Sequence, residues 1–281
     1  MVSPNAGAAA PPTATIDVVV AGAAGRMGHR IVACLRDTPD LRLVAALEAP
    51  AHPSLGRDAG ELAGVGHVGV AVAADAATAI ARGRVLVEFS VPEASLDHLR
   101  LVARAGARAV VGTTGFSAAQ RAEIQELARS AAILVSPNMS VAVNLMFTLL
   151  GTMARVLGDD YDVEITEVHH RFKKDAPSGT ALRMAEVVAE ALGRDLGRVA
   201  VYGRQGLPGE RPRGEIGILS VRSGDVVGEH TVSFGTLGER LELTHKAHSR
   251  DTLARGALRA TRFVAAQPPG LYSMQDVLGL A

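Results

Sequence analysis

A run of cationic and hydroxyl-bearing residues, HHRFKKDAPSGT, occupies positions 169–180. Five of its first six residues are His, Arg or Lys, and Ser178, Gly179 and Thr180 then open a predicted helix. The unpaired N–H groups at a helix start attract anions, and histidine changes its charge near neutral pH. Together these residue types suit the binding of a small dicarboxylate and the transfer of a proton. A solvated basic loop is the common alternative for such a run of charge.

Metal-dependent and nucleophilic chemistry are both disfavoured. Two adjacent histidines without patterned Cys, Asp or Glu partners make a poor zinc site, so we expect no bound metal. The sequence has no G-x-S-x-G motif, and its single cysteine, Cys34, falls in a predicted helix, which argues against a hydrolase nucleophile. A lone cysteine cannot close an intramolecular disulfide, and this is compatible with a reducing cytoplasm.

A glycine-rich loop, GAAGRMG at residues 22–28, follows a predicted strand and precedes a helix. Glycines allow a pyrophosphate to approach the N–H groups of the helix start, although a tight strand-to-helix turn is the alternative. Glu48 ends the next predicted strand, 20 residues after Gly28, where an acidic residue would meet the adenosine ribose. Arg26 could either touch a phosphate or lie solvated on the helix.

Two further turns end predicted strands. Gly112, Thr113, Thr114 and Gly115 follow one strand, and Glu88-Phe89-Ser90 ends another. Open α/β sheets bind ligands at the carboxyl ends of their strands, so both turns are predicted to face the nicotinamide half of a cofactor. An ordinary turn is the alternative for each.

The elements around these motifs predict two domains in the 281 residues. Residues 1–15 contain few of the large apolar side chains that a packed core requires, and they are expected to form a disordered leader. From residue 16 to about 138, strands alternate with helices, which predicts an α/β domain of the Rossmann type with a parallel sheet. The six predicted strands span residues 16–21, 41–47, 67–73, 84–89, 107–111 and 132–135. From about residue 139 the rhythm changes, which predicts a second, α+β domain with a mixed or antiparallel sheet.

The charge balance and one apolar stretch bear on possible partners. Lys plus Arg and Asp plus Glu each number 29, so no global basic field exists to bind nucleic acid or an acidic membrane. Residues 130–154 carry no charge, but Pro137 interrupts them. We therefore predict a buried strand, a turn and an apolar helix there, and no membrane span.

Five motifs along the chain resemble those of the dihydrodipicolinate reductase family, also called 4-hydroxy-tetrahydrodipicolinate reductases. They are GAAGRMG, GTTG, SPNMSVAVN, EITEVHHRFKKDAPSGTA and GEHTVSF, in that order. The resemblance covers nearly all of the chain after Thr15, and its HHxxKxDAPSGT core is the most specific part. It implies a cytoplasmic, homotetrameric enzyme of lysine and diaminopimelate synthesis. It also implies that residues 16–138 bind the dinucleotide, that residues 139–250 bind substrate and oligomerise, and that the C-terminal helix, within 251–281, returns to the first domain.

The resemblance implies a role for each motif residue. It assigns the pyrophosphate loop to Gly22, Ala23, Ala24, Gly25, Arg26 and Met27. It assigns the nicotinamide contacts to Gly112, Thr113, Thr114, Ser136, Pro137, Asn138 and Met139. Glu48 is the implied ribose ligand, and the cofactor is NADH, NADPH or both.

On the substrate side, the resemblance implies that His169 is the proton donor and acceptor and that Lys173 is a second proton donor. The implied ligands of the substrate carboxylates are His170, Gly179 and Thr180. Many members carry arginine after the ribose carboxylate, but this chain has Ala49-Pro50, so NADH is expected to serve at least as well as NADPH. Two alternatives remain: another two-domain dehydrogenase acting on homoserine or aspartate compounds, or a cofactor-sensing protein without catalysis.

Overall fold

The computed structural model describes residues 15–280, so the predicted leader lies, apart from Thr15, outside the described residues. The strands of this range are β1 (Ile16–Ala21), β2 (Leu41–Leu47), β3 (Val72–Ala73), β4 (Val85–Glu88), β5 (Arg108–Val111), β6 (Ala132–Val135), β7 (Asp162–His169), β8 (Ala200–Val201), β9 (Ile216–Arg222), β10 (Gly228–Thr236), β11 (Glu239–Ala247) and β12 (Gly270–Tyr272). The α-helices are α1 (Arg26–Arg36), α2 (Ala59–Leu62), α3 (Ala76–Arg82), α4 (Pro92–Ala105), α5 (Ala118–Leu127), α6 (Val141–Leu157), α7 (Gly179–Ala191), α8 (Leu196–Val199), α9 (Asp251–Ala265) and α10 (Met274–Leu278).

The described chain divides into two compact units. The first unit contains residues 15–135 and 257–272, and the second contains residues 136–256 and 273–280. The C-terminal segment is therefore shared, with most of α9 and all of β12 in the first unit and α10 in the second.

The first unit is built on a seven-stranded sheet in the order β12-β6-β5-β4-β1-β2-β3. Every neighbouring pair is parallel. Strands one to six follow the order 3-2-1-4-5-6 of a dinucleotide-binding fold. The prediction of a Rossmann-type domain is confirmed, and all the loops that leave its strands at their carboxyl ends lie at one edge of the sheet.

Local sequence signals explain several of these elements. Pro92 begins α4, where the N–H that proline lacks would have had no partner within the helix. Gly106 ends α4 at φ 64°, a left-handed conformation that favours glycine. Ser117 and Gln120 form a capping box at the start of α5.

One predicted strand, at residues 67–73, is wrong over most of its length, because only Val72–Ala73 pairs with β2. The cause is Asp58, a buried residue that caps the N-terminus of α2. Its carboxylate accepts hydrogen bonds from the backbone of the neighbouring segments. Backbone N–H groups that donate to Asp58 belong to Gly60, Glu61, Val68, Gly69 and Val70. The N–H groups of residues 68–70 therefore donate to the Asp58 side chain and not to a neighbouring strand.

Two contacts tie α9 to the rest of the first unit. The Arg262 guanidinium donates to both carboxylate oxygens of Asp40, at 2.5 and 2.8 Å. Arg84, which precedes β4, donates from Nη2 to the Ala265 carbonyl at 2.9 Å. The end of the helix is therefore held to residues far from it in the sequence.

The second unit contains a five-stranded sheet in the order β11-β10-β7-β9-β8. β10 pairs antiparallel with β11 and β7, whereas β9 pairs parallel with β7 and β8. The sheet is mixed, which is one of the two predicted arrangements. Helices α6 and α7 pack against each other, and their apolar residues join a core with Val163, Ile165 and Val232.

The uncharged stretch at residues 130–154 forms β6, a turn and α6, as predicted. By length and composition alone, the helical stretch Val141–Asp160, with a mean hydropathy of 1.5, could cross a membrane. Its Phe147 and Leu150, however, are buried in the core of the second unit. Core helices of globular proteins pass the same test of length and hydropathy.

Candidate active site

The glycine loop after β1 has the geometry that a bound pyrophosphate requires. Gly22 has φ 72°, and a Cβ there would lie 2.6 Å from the Phe89 carbonyl oxygen. A Cβ on Gly28 would lie 2.1 Å from the Gly22 carbonyl oxygen, so helix and loop approach too closely for a side chain. Gly25 caps α1 without any side-chain hydrogen bond, which leaves the first N–H groups of the helix to an anion. The loop therefore fits a dinucleotide.

Glu48, predicted from spacing alone, lies beside this loop. Its Oε2 accepts a hydrogen bond from Ala24 N–H at 3.1 Å, and its Oε1 accepts one from Ala49 N–H at 3.1 Å. The structure thus brings the predicted ribose ligand and the predicted pyrophosphate loop together. Arg26, which the sequence offers as a possible phosphate contact, is exposed, and so is Arg57.

The turn at residues 112–114 lies at the same edge of the sheet, next to the turn after β4. A Cβ on Gly112 would lie 2.2 Å from the Phe89 ring, so this glycine makes room for the phenylalanine. Thr113 is buried and its Oγ1 accepts from the Ser95 hydroxyl at 2.8 Å. The two turns therefore form one packed group within the first unit.

The segment Ser136–Met139 belongs to the second unit, although the resemblance assigns it to the nicotinamide. Its backbone is fixed by its own polar atoms: Ser136 Oγ and Asn144 Nδ2 both donate to the Asn138 carbonyl, each at 2.7 Å. Asn138 Nδ2 in turn donates to Thr180 Oγ1 at 3.0 Å. An expected cofactor residue thus contacts an expected substrate ligand, which the sequence did not reveal.

The histidine cluster begins where β7 ends, at His169. His170 follows the strand, and its carbonyl accepts the Lys173 N–H at 3.1 Å, closing a turn. Ser178 caps α7 by accepting the Ala181 N–H at 3.1 Å. Helix α7 then starts at Gly179, as predicted.

A fully buried carboxylate, Glu167, connects these parts. Its Oε2 lies 2.5 Å from His169 Nδ1, and its Oε1 accepts the Ser178 N–H at 3.2 Å. Arg222, at the end of β9, donates to both carboxylate oxygens at 2.9 Å. One side chain therefore ties the expected proton donor to the start of the expected anion-binding helix.

The charges of the cluster also set its pKa values. Burial alone raises the pKa of Glu167, but hydrogen bonds from Arg222 and His169 outweigh burial and lower it to about 2. Lys173 Nζ lies 2.8 and 2.7 Å from the two carboxylate oxygens of Asp175, and this hydrogen bonding lowers the pKa of Asp175. Burial, with the nearby charge of His169, lowers the pKa of His230 to about 3.

The roles of Glu167, Arg222 and His230 were not predicted from the sequence. A signal for Glu167 was present, because it follows Val163 and Ile165 in the alternation of β7 and so points to the core. Arg222 and His230 gave no comparable signal, since they come close to Glu167 and His169 only through the pairing of β9 and β10 with β7. Within residues 15–280 the structure places no group of three or more His, Cys, Asp or Glu side chains that could hold a metal ion.

Comparisons with known proteins agree with this geometry. The family models described as dihydrodipicolinate reductase, N-terminus, and dihydrodipicolinate reductase, C-terminus, match residues 16–139 and 142–278. The 4-hydroxy-tetrahydrodipicolinate reductases of Syntrophus aciditrophicus and Anaeromyxobacter dehalogenans are each 53% identical to this chain over 94% of it, covering 98% and 97% of their own lengths.

Solved structures give the same result. A dipicolinate-bound dihydrodipicolinate reductase from Paenisporosarcina sp. TG-14 superposes with a TM-score of 0.73 at 26% identity, covering 93% of this chain and 98% of its own. An amine dehydrogenase from Mycobacterium smegmatis, 18% identical with a TM-score of 0.60 over 94% of this chain and 96% of its own, shares the fold alone. By sequence, and with this structural support, the chain belongs to the dihydrodipicolinate reductase family.

Proposed function

We propose that this chain reduces a cyclic, unsaturated imine dicarboxylate to tetrahydrodipicolinate, as a 4-hydroxy-tetrahydrodipicolinate reductase of lysine and diaminopimelate synthesis. The observation that carries the proposal is the Glu167 carboxylate, which bonds both to His169 and to the N–H of Ser178 at the start of α7. A proton donor and a helix N-terminus that attracts carboxylates are thereby held together in one unit.

The substrate carboxylates are proposed to bind at the start of α7. The N–H groups of Gly179 and Thr180 point out of a helix N-terminus, and His170 and Lys173 add donors and positive charge. The Paenisporosarcina relative has dipicolinate bound, and a flat ring with two carboxylates matches the groups assigned here.

His169 and Lys173 are proposed to supply protons. A bound reduced nicotinamide supplies the hydride. Nearby cations and a positioned acid stabilise the negative charge that develops on the conjugated ring of the substrate. His169 is held by Glu167 with its Nδ1 engaged, so its Nε2 is the atom available to the ring. Lys173 is mostly buried and paired with Asp175, which keeps its ammonium close to the turn after β7.

The cofactor is proposed to bind the first unit through the loop at residues 22–27, Glu48 and the turn at residues 112–114. The assignment of residues 136–139 to the nicotinamide remains a proposal that rests on the resemblance. The support is the glycine geometry and the hydrogen bond between Glu48 and Ala24. We assign residues 16–138 to the cofactor domain and residues 139–250 to substrate binding and oligomerisation. Cofactor sensing alone would not require the His169–Glu167 pair, so catalysis is the stronger proposal.

We also propose a cytoplasmic homotetramer, joined through the second unit and with no nucleic acid or membrane partner. Support comes from exposed apolar side chains on β9, Leu219 and Val221, which alternate with the buried Ile216 and Ile218. Sedimentation should give four times the chain mass of 29.1 kDa. A monomer at assay concentrations would contradict this part of the proposal.

The activity is tested by supplying the substrate as it forms. Pyruvate and aspartate semialdehyde are condensed by a synthase, and the absorbance of the reduced nicotinamide is followed after the purified chain is added. We expect rapid loss of absorbance with NADH, NADPH or both. A folded protein that consumes neither cofactor would refute the proposal, and His169→Ala serves as the matched inactive control.

A further inference from the structure

We propose that Glu167 is a positioning residue for His169: with Arg222 it holds the Nδ1–H of the imidazole, so that Nε2 alone exchanges the proton with substrate. The roles that the resemblance implies for the motif residues do not include one for Glu167. The inference rests on the proposed role of His169, and it adds a residue, a tautomer and a ring orientation to that role.

The first step is that Glu167 can only accept hydrogen bonds. Its side chain is 0% exposed and lies on the core-facing side of β7. The Arg222 guanidinium forms two parallel hydrogen bonds to it, a geometry that strongly favours the ionised carboxylate. An ionised carboxylate has no proton to give, so in the 2.5 Å contact the hydrogen belongs to His169 Nδ1.

The second step is that the charge next to the ring decides which nitrogen keeps its hydrogen. An ionised carboxylate 2.5 Å from Nδ1 keeps a hydrogen on that nitrogen, so proton exchange with substrate is left to Nε2. The charged and titratable groups of the His169 cluster are Glu167 on β7, Arg222 on β9, His230 on β10, and Lys173 and Asp175 in the following loop. His245 on β11 lies next to His230. Arg222 and Lys173 each bond a carboxylate, and His230 stays neutral at working pH because burial lowers its pKa to about 3. The carboxylate of Glu167 is therefore the charge that directly contacts the ring.

The third step concerns the position of the ring. His230 meets His169 edge to face, with ring centroids 5.3 Å apart and planes at 75°. His230 is itself fixed, since its Nε2 is 3.0 Å from Ser178 Oγ. On the adjoining backbone, a Cβ added to Gly228 would lie 3.0 Å from His169 Nε2. The GEHTVSF motif thus supplies both a ring that supports His169 and a glycine that leaves its reactive nitrogen uncrowded.

A purely structural ion pair between Glu167 and Arg222 is the competing explanation. It predicts a loss of stability when Glu167 is changed, but no change in the chemistry of the folded molecules. The two explanations are separated by Glu167→Gln, which keeps the shape and removes the charge. The matched control is Glu164→Gln, since Glu164 also lies on β7 and is also bonded by arginine, in its case by Arg204 and Arg211.

For Glu167→Gln we expect kcat to fall by about 10²-fold, less than or equal to the loss of His169 itself. KM should change less, because the N–H groups proposed to bind the substrate carboxylates belong to Gly179 and Thr180, whereas Glu167 bonds that of Ser178. The pH dependence of kcat should also differ from that of the wild type, because the variant removes the charge that contacts the His169 ring. Glu164→Gln, compared at the same oligomeric state, should keep kcat and its pH dependence.

A second pair of variants avoids breaking the buried ion pair. Gly228→Ala places a methyl group against His169 Nε2, whereas Gly235→Ala on the same strand meets nothing within 4 Å. We expect Gly228→Ala to lower kcat by at least tenfold at nearly unchanged melting temperature. Gly235→Ala should match the wild type.

The tautomer is read directly from ¹⁵N shifts in histidine-labelled protein, with the His169 signals assigned by their loss in His169→Ala. At a pH where the ring is neutral, we expect Nδ1–H in the wild type and a changed shift pattern in Glu167→Gln. An Nε2–H tautomer in the wild type would overturn the proposal, as would a Glu167→Gln enzyme with unchanged kcat and pH profile. If the wild type proved unable to reduce the imine dicarboxylate, the proposed function would fail, while the ¹⁵N spectrum would still decide whether Glu167 positions His169.

Discussion

Cofactor preference is the prediction that the structure specifies most quantitatively. The Glu48 carboxylate lies against Ala24 and Ala49 at the predicted ribose end of the site. The 2′-phosphate of NADPH would bring about two negative charges close to it. At a separation of about 5 Å in a water-like dielectric, the repulsion is about 1.7 kcal/mol, and salt reduces it. Binding of NADPH should therefore be roughly tenfold weaker unless a cation intervenes.

The substitution Ala49→Arg tests the repulsion by Glu48, because it adds a cation where Ala49 and Pro50 now offer none. One such contact is worth about 1 kcal/mol in water, so the ratio of kcat/KM for NADPH to that for NADH should rise about fivefold. Ala105→Arg is the matched control, because Ala105 is also exposed but ends α4 at the amino edge of the sheet.

The assay is kcat/KM for both cofactors at one ionic strength, repeated at higher salt. We expect the wild type to use NADH at least as well as NADPH, with the difference shrinking as salt screens the repulsion. A tenfold preference for NADPH would mean that an arginine such as Arg26 or Arg57 reaches the 2′-phosphate. No response to Ala49→Arg would mean that Glu48 does not mark the ribose end.

Three further outcomes are expected. His169→Ala and Lys173→Ala should each lower kcat by about 10²–10⁴-fold in the coupled assay, and full activity in either would remove that residue from the mechanism. A planar pyridine dicarboxylate should compete with substrate, and Thr180→Val should raise its inhibition constant; noncompetitive inhibition would place the substrate elsewhere. Asp58→Asn should unfold at lower urea than the wild type at pH 7. Burial opposes ionisation of Asp58, but the N–H donors outweigh it and lower its pKa, so this difference should disappear as acid protonates the carboxylate below its usual pKa range.

Much of the fold was predictable because its signals are local. The glycine loop, Glu48 and the parallel strands of the first unit follow from spacing and β-branched runs, and the structure places them as expected. The strand predicted at residues 67–73 failed because Asp58, about ten residues earlier, captures the N–H groups of that segment. A side chain that organises a loop from outside the segment leaves no periodic pattern in it.

The candidate site was only partly predictable for a related reason. His169 and Lys173 lie in one sequence motif, whereas Arg222 reaches Glu167 through the pairing of β7 with β9. His230 reaches His169 through the pairing of β7 with β10. Register between strands far apart in sequence is not encoded in spacing, so the neighbours of His169 became visible only in the folded chain.

In the proposed reaction, a hydride from the bound cofactor reaches the ring of an imine dicarboxylate while His169 supplies a proton. The most direct measurement uses reduced nicotinamide carrying deuterium at the transferable position, and mass spectrometry of the dicarboxylate product. We predict tetrahydrodipicolinate that is one mass unit heavier, formed by the wild type and at least about 10²-fold more slowly by His169→Ala. Unlabelled product, or equal rates from the two proteins, would contradict the account.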